Sequence, residues 1–161
     1  MTRSMVRRGE TIVRILVAED NPVFQTVLQS MLTQWGYDVV VASDGEEAWC
    51  QLQREEGPQL AILDWVMPCL DGIEVCRRVR ASKRLPYTYI LILTAKTGSE
   101  DLVTAMEAGA DDYVTKPFKS AELRARLRVG CRILELLERL QLCCPPVTLG
   151  PDVRARPDVI A

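Results

Sequence analysis

Apolar residues along the chain alternate between short β-branched runs and longer stretches in which they recur every three or four positions. The runs predict strands and the stretches predict amphipathic helices. The predicted strands cover residues 11–20, 37–42, 59–64, 89–95 and 112–115, and the predicted helices cover 22–35, 43–55, 72–82, 99–108 and the region from 120 onward. This regular alternation predicts a parallel sheet with helices on both faces, which right-handed crossovers make a doubly wound α/β fold.

Local signals mark the beginnings of three helices and the unusual length of the last one. Pro22 suits a first helical turn, and the sequence SDGE at 43–46 resembles a capping box. Ser120 is a suitable cap for the last helix, whose apolar stripe continues through Ile133, Leu134, Leu136, Leu137, Leu140 and Leu142. The stripe predicts an extension that dimerises or leads to an output domain, and a folded-back or frayed end is the alternative.

The chain is predicted to be organised around one globular domain. We expect an N-terminal extension at 1–11, the domain at 12–132, a helical extension at 133–144 and a flexible tail at 145–161. The tail contains four prolines and no hydrophobic periodicity, which is typical of a segment without a packed core.

Polar side chains stand at the ends of four predicted strands. Glu19 and Asp20 end the first strand, Asp64 the third, Thr94 the fourth and Lys116 the fifth. Function in doubly wound sheets gathers beyond the carboxyl ends of the strands, so we expect these side chains to converge on one rim. Any one of these residues could simply be a polar side chain at an exposed strand end. Three neighbouring carboxylates, however, repel one another. A divalent cation resolves that repulsion, and oxygen ligands with room for water favour Mg²⁺ over zinc.

A metal held by these acids would allow one carboxylate to attack phosphorus. Asp64 is the best candidate nucleophile because it follows the central strand, whereas Glu19 and Asp20 come as an adjacent pair. Lys116 and Thr94 would contact the phosphoryl oxygens while the metal neutralises their charge. The pattern therefore predicts aspartyl phosphate chemistry.

The composition narrows the remaining classes of function. The 161 residues are 48% apolar and 26% charged, which is ordinary for a soluble globular protein. The net charge of −2 leads us to expect no direct nucleic-acid binding. No apolar run reaches the roughly 20 residues of a membrane helix, and the N-terminus does not resemble a signal peptide, so we expect no membrane contact and a cytoplasmic location. The absence of histidine and of a C-x-x-C pair argues against a zinc site and a Ser-His-Asp triad.

Four motifs, in this order and at these separations, give the chain a specific resemblance. They are EDN at 19–21, LDWVMPCLDG at 63–72, LTA at 93–95 and AGADDYVTKPF at 108–118. Over residues 12–132 the chain resembles the CheY-like receiver domains of bacterial response regulators in two-component signalling. The resemblance implies a flavodoxin-like (βα)5 three-layer sandwich with parallel strand order 2-1-3-4-5, followed here by an extended C-terminal helix.

The resemblance also implies a role for each site residue. Asp64 would accept a phosphoryl group from a sensor histidine kinase or phosphotransfer protein. The implied Mg²⁺ ligands are Glu19, Asp20, Asp64 and the backbone carbonyl of Val66. Lys116 would bind the phosphoryl group, Thr94 would move to hydrogen-bond it, and Tyr113 would be the aromatic switch, although it could also be a half-buried strand residue. The Lys116–Pro117 peptide bond would be cis.

Phosphorylation would then alter the surface of the fourth helix, fifth strand and fifth helix. This change would control an unknown output partner or a homodimer, formed through that surface or the extended last helix. The resemblance further implies that Val66 and Lys96 flank the path of the hydrolytic water, and neither side chain is suited to orient it. We therefore expect slow autodephosphorylation and no enzymatic activity beyond this self-directed chemistry.

Three other functions fit parts of the pattern. A phosphohydrolase of the haloacid-dehalogenase type would also use a strand-end Asp, but it needs a second Asp at the position of Val66. A pseudo-receiver scaffold would not need the complete set of site residues. A flavodoxin-like FMN binder would leave the three acids unexplained.

Overall fold

The computed structural model of this protein describes residues 12–83 and 86–143. The strands are β1 (Arg14–Ala18), β2 (Asp38–Ala42), β3 (Leu60–Asp64), β4 (Tyr89–Thr94) and β5 (Asp112–Thr115). The helices are α1 (Pro22–Gln34), α2 (Gly45–Leu52), α3 (Gly72–Ala81), α4 (Ser99–Glu107) and α5 (Ser120–Cys143). All four strand pairs are parallel, and the order across the sheet is β2-β1-β3-β4-β5. The doubly wound fold and its strand order are confirmed.

The sheet is buried on both faces, which explains the continuous apolar runs of its central strands. Every residue of β3 and β4 is buried. Alternate residues of one strand point to opposite faces, so Ile15 and Val17 pack with α1 and α5, whereas Leu16 packs with the other three helices. The result is a three-layer sandwich with α1 and α5 on one face and α2, α3 and α4 on the other.

The capping of α2 differs from the prediction by one residue. The Oδ1 atom of Asp44 accepts a bond of 2.8 Å from the Glu47 amide. In return, the Glu47 side chain accepts a bond of 2.8 Å from the Ser43 amide. The box is therefore Asp44-to-Glu47, since Asp caps a helix as well as Ser does. The helix also ends earlier than predicted, at Leu52.

The last helix packs on the sheet for its first half and then extends beyond it. Leu123 and Leu127 are buried, and Gly130 lies where a β-carbon would come within 2.7 Å of the Tyr89 ring. Glycine at this helical position therefore allows close packing rather than marking a break. Further along, Leu136 and Leu140 are 57% and 62% exposed.

Several predictions fall partly or wholly outside the described residues. The N-terminal extension at 1–11 and the tail at 145–161 lie there, together with Cys144. The division of α5 between domain and extension stays a prediction. Among the described residues, no helix is long and apolar enough to span a membrane.

Candidate functional site

Three carboxylates meet at the carboxyl edge of the sheet. Glu19 and Asp20 follow the end of β1, and Asp64 is the last residue of the neighbouring strand β3. One carboxylate oxygen from each of the three lies within 4.8 Å of the others. Glu19 and Asp64 are buried, whereas Asp20 is exposed. The cluster is thus open to solvent on one side and has the oxygen donors that hard divalent cations prefer.

Lys116 joins two of these acids from the end of β5. Its Nζ atom donates bonds of 2.7 Å to Glu19 Oε2 and 3.1 Å to Asp64 Oδ2. The Lys116–Pro117 peptide bond is cis. The ammonium also lies 4.3 Å from the centre of the Phe24 ring, which in turn contacts Phe118 edge to face. One ammonium among three carboxylates leaves a local excess of two negative charges.

The surroundings of Glu19 disfavour the ionised form of its carboxyl group. Burial raises the pKa of this carboxyl group, and the nearby charge of Asp64 raises it further. The hydrogen bonds from Lys116 and from the Asn21 amide lower the pKa, but they do not overcome burial. A bound divalent cation would favour the ionised form and so offset this cost. The donor set and the excess charge therefore fit a hard cation such as Mg²⁺.

The loop after β3 fixes the backbone that carries Asp64. The Gly72 amide donates a bond of 2.9 Å to the Trp65 carbonyl. A β-carbon at Gly72 would lie 2.1 Å from the carbonyl oxygen of Asp64, so only glycine fits there. Asp71 then caps α3 by accepting a bond of 2.7 Å from the Glu74 amide. Within this loop, Val66 exposes 63% of its surface.

The predicted switch residues lie together on β4 and β5. Thr94 is buried at the end of β4, and its Oγ1 accepts a bond of 3.3 Å from the Lys96 amide. Tyr113 is buried on β5 and donates a bond of 2.7 Å from its hydroxyl to the Lys96 carbonyl. Burial raises the pKa of Tyr113, so its hydroxyl remains a proton donor at neutral pH.

Sequence reasoning missed two aromatic residues that line the site. Phe24 packs over the Lys116 ammonium, and Trp65 contacts the Tyr113 ring edge to face at 6.5 Å between centroids. Trp65 also lies under the Lys96 ammonium, at 4.1 Å from the ring centre. Its position directly after Asp64 was an available signal, whereas Phe24 had none beyond its place in the first turn of α1.

Comparison with known proteins gives a family match and well-covered relatives. Residues 15–128 match the response regulator receiver domain. The chain is 44% identical over 139 residues to the alkaline phosphatase synthesis transcriptional regulatory protein PhoP of Bacillus subtilis, covering 86% of this chain and 54% of that protein. It is 45% identical over 119 residues to the DNA-binding response regulator MtrA of Mycolicibacterium smegmatis, covering 74% of this chain and 50% of that protein. The chain thus spans about half the length of these relatives.

A solved structure adds a parallel for the metal site. The receiver domain of sensor histidine kinase PA1611 from Pseudomonas aeruginosa is 36% identical and superposes with a TM-score of 0.67, covering 78% of this chain and 99% of that one. That structure has a magnesium ion coordinated in its active-site cleft.

These relatives correct one expectation. The absence of direct nucleic-acid binding was predicted from the net charge of −2, and this prediction is wrong, because MtrA is a DNA-binding response regulator and PhoP a transcriptional regulator. The physical reason is that the chain matches only about half of each relative, so its charge does not report on the whole of such a regulator.

The relatives are transcriptional regulators rather than conventional enzymes. The expected receiver-domain resemblance is confirmed by the family match and by the fold. The chain belongs to the response regulator receiver domain family, the phosphorylation-activated switches of two-component signalling.

Proposed function

We propose that Asp64 accepts a phosphoryl group and that the resulting change at Thr94 and Tyr113 switches the output of a response regulator. The observation that carries this proposal is the meeting of three carboxylates and Lys116 at one edge of the sheet. The cluster supplies a nucleophile, a cation for the phosphoryl oxygens and ligands for a metal ion. Phosphoryl transfer needs these groups in place more than it needs acid–base chemistry.

The transfer itself forms one bond and breaks one. An Asp64 carboxylate oxygen attacks phosphorus, and the phosphorus–nitrogen bond of a phosphohistidine in the donor kinase or phosphotransfer protein breaks, with the electron pair leaving on the imidazole. Lys116 bonds to Asp64 at 3.1 Å and is within reach of an oxygen of the incoming phosphoryl group. A Mg²⁺ ion held by Glu19, Asp20, Asp64 and the carbonyl of Val66 would neutralise charge on the phosphoryl oxygens.

Thr94 and Tyr113 carry the change away from Asp64. A threonine hydroxyl has one proton to donate and two lone pairs. Because Thr94 Oγ1 accepts from the Lys96 amide, its proton is available for a phosphoryl oxygen on Asp64. The Tyr113 hydroxyl is bonded to the same residue, Lys96, so a shift of Thr94 reaches Tyr113 through one backbone segment. Return to the resting state is by slow autodephosphorylation.

The relatives suggest what the switch controls. PhoP and MtrA are a transcriptional regulator and a DNA-binding response regulator, so we propose a DNA-binding output for the regulator to which this domain belongs. Its phosphodonor would be a sensor histidine kinase or phosphotransfer protein acting in the cytoplasm.

Incubation with Mg²⁺ and acetyl phosphate tests the proposal. Intact mass should show a single phosphoryl adduct on the wild type, and Asp64→Asn should show none. Asp71→Asn is the matched control, because it changes an acid of the same loop while keeping a side chain that caps α3. Adduct formation on Asp64→Asn would contradict the assignment of the acceptor. Continuous turnover of a generic phosphate ester would instead favour a phosphohydrolase.

A further inference from the structure

The side chain of Lys96 makes contacts that the function described so far does not explain. It lies two residues after Thr94, between β4 and α4. Its side chain is 40% exposed, so a solvated surface lysine would be the simplest interpretation. Its contacts are nevertheless specific. Its backbone bonds to Thr94 and Tyr113, and its ammonium lies over the ring of Trp65, the residue after Asp64.

The ammonium of Lys96 lies between an aromatic ring and an acid. Its Nζ is 4.1 Å from the centre of the Trp65 ring and 3.7 Å from Asp101 Oδ1. Trp65 directly follows the acceptor Asp64 and is only 8% exposed, so its ring is a fixed platform. Asp101 lies in the first turn of α4, where the helix dipole favours an acid. Lys96 therefore connects the acceptor loop to the beginning of α4.

The backbone of Lys96 connects the two proposed switch residues. Its amide donates to Thr94 Oγ1 at 3.3 Å, and its carbonyl accepts from the Tyr113 hydroxyl at 2.7 Å. Holding the side chain of Lys96 in place therefore also holds the backbone atoms to which Thr94 and Tyr113 bond. A segment fixed in its bound geometry loses less entropy when a ligand is bound.

We propose that Lys96 is a positioning residue, whose ammonium, held between Trp65 and Asp101, keeps Thr94 ready to donate to a phosphoryl group on Asp64 and keeps Tyr113 buried. The proposal rests on phosphoryl acceptance at Asp64. It assigns the coupling between the acceptor loop and α4 to a cation–π contact and an ion pair. Without the side-chain contacts, the Lys96 segment samples other positions and Thr94 must be ordered when the phosphoryl group arrives.

The test uses beryllofluoride with Mg²⁺ as a phosphoryl analogue. Lys96→Met removes the charge and keeps an unbranched side chain, and it should weaken beryllofluoride binding about threefold to fivefold, as expected for a partly exposed cation–π contact. Lys96→Arg retains a cation and should restore most of the affinity. Mg²⁺ affinity alone should stay unchanged, because no proposed metal ligand is altered. Lys119→Met is the matched control, since it removes an exposed lysine from the β5–α5 loop.

A double-mutant cycle shows whether Trp65 and Lys96 act together. Trp65→Leu alone and Lys96→Met alone should weaken binding by similar factors, and the double variant should be no weaker than the worse single variant. If Trp65→Leu does not fold, Asp101→Asn replaces it in the cycle, with the neighbouring Glu100→Gln as its control. The nuclear magnetic resonance signal of the Tyr113 ring should shift towards that of an exposed tyrosine in each variant.

Three outcomes separate the failure of this proposal from the failure of the proposed function. If the wild type binds beryllofluoride and Lys96→Met binds it as well as Lys119→Met does, Lys96 is not a positioning residue. Additive losses in the cycle would overturn the coupling in the same way. If neither the wild type nor any variant forms an Asp64-dependent adduct, phosphoryl acceptance itself is wrong.

Discussion

Charged side chains gather at both ends of the sheet, and the two clusters are built differently. At the amino ends of β4 and β5, Asp111 accepts from Arg80 at 2.8 Å, from the Ile90 amide at 2.7 Å and from the Tyr87 hydroxyl. The Arg80 guanidinium uses its other nitrogens to bond the Thr88 and Gly109 carbonyls, both at 2.8 Å. One cation faces one anion there, and each has several partners.

The carboxyl edge has the opposite character. Three carboxylates meet there with one ammonium, which bonds to only two of them, Glu19 and Asp64. Burial raises the pKa of Glu19, and its hydrogen bonds do not offset this rise. A closed network of matched groups stabilises a fold, whereas an unbalanced, partly open cluster costs stability unless a ligand completes it. The network around Asp111 therefore stabilises the fold, whereas the cluster of Glu19, Asp20 and Asp64 has the features of a binding site.

The largest effect is expected when the matched network is broken. Asp111→Ala leaves the Arg80 guanidinium and the Ile90 amide without their shared acceptor, so it should lower the free energy of unfolding by about 3 kcal/mol. Urea unfolding measures this loss. The Mg²⁺ and beryllofluoride affinities of the folded variant should not change, because the network lies at the other end of the sheet.

An exposed ion pair supplies the control for that prediction. Arg14 and Asp38 pair at 2.9 Å between strands β1 and β2, with about half of each side chain exposed. Asp38→Ala should cost less than about 1 kcal/mol, since solvent screens such pairs. If Asp111→Ala and Asp38→Ala lower the free energy of unfolding equally, the network at Asp111 stabilises the fold no more than an exposed ion pair does.

Most of the fold follows from local patterns. Apolar runs and helical spacing predict all ten elements, because strands such as LAILD at 60–64 are buried on both faces and so consist of continuous apolar residues. The residues at the strand ends are predictable for the same reason, since a parallel sheet brings its carboxyl ends to one edge. The errors in the fold concern the ends of elements and single side chains, such as the end of α2 at Leu52 and Asp44 replacing Ser43 as its cap.

Contacts between residues far apart in the chain could not be predicted from the sequence. Arg80 and Asp111 are 31 positions apart, and neither has a local signal for its partner. The same holds for Gly130, where the lack of a β-carbon makes room for the Tyr89 ring. It also holds for the contact between Trp65 and Lys96. Such pairs depend on the packing of one element against another, which periodicity does not encode.

A smaller effect is expected from an exposed side chain in the loop that follows Asp64. Val66 is exposed beside Asp64 and offers no hydrogen bond to a water molecule. Val66→Asn would place an amide there that orients water towards a phosphoryl group, so loss of the phosphoryl group should become about tenfold faster. The decay of the phosphorylated form, followed by intact mass, measures this rate.

Cys69→Asn is the matched control for Val66→Asn, because it adds the same amide to the same loop. Cys69 has a φ of 68°, a conformation that asparagine tolerates, and its side chain is exposed. This control should leave the lifetime unchanged. A wild-type half-life of seconds that Val66→Asn does not alter would show that the apolar side chain has no part in preserving the phosphoryl group.

The smallest predicted effect tests whether the carboxyl edge costs stability. Burial raises the pKa of Glu19, so its ionised form at neutral pH is unfavourable in the folded protein. Glu19→Gln removes that charge and should slightly raise the free energy of unfolding of the metal-free protein, because the folded state then no longer buries an ionised carboxylate. The gain should shrink as the pH falls through the raised pKa, because Glu19 of the wild type then takes up a proton in the folded state.

Magnesium should reverse the order of stability. Binding to the folded state adds stability that increases with the logarithm of the affinity, and the wild type keeps a carboxylate that the variant lacks. Thermal unfolding with and without Mg²⁺ therefore distinguishes a functional cost from ordinary destabilisation, with the exposed Glu55→Gln as the control for loss of an acid. If Glu19→Gln is less stable than the wild type without metal, the bonds of Glu19 to Lys116 and the Asn21 amide outweigh its burial, and this edge is a structural network like the one at Asp111.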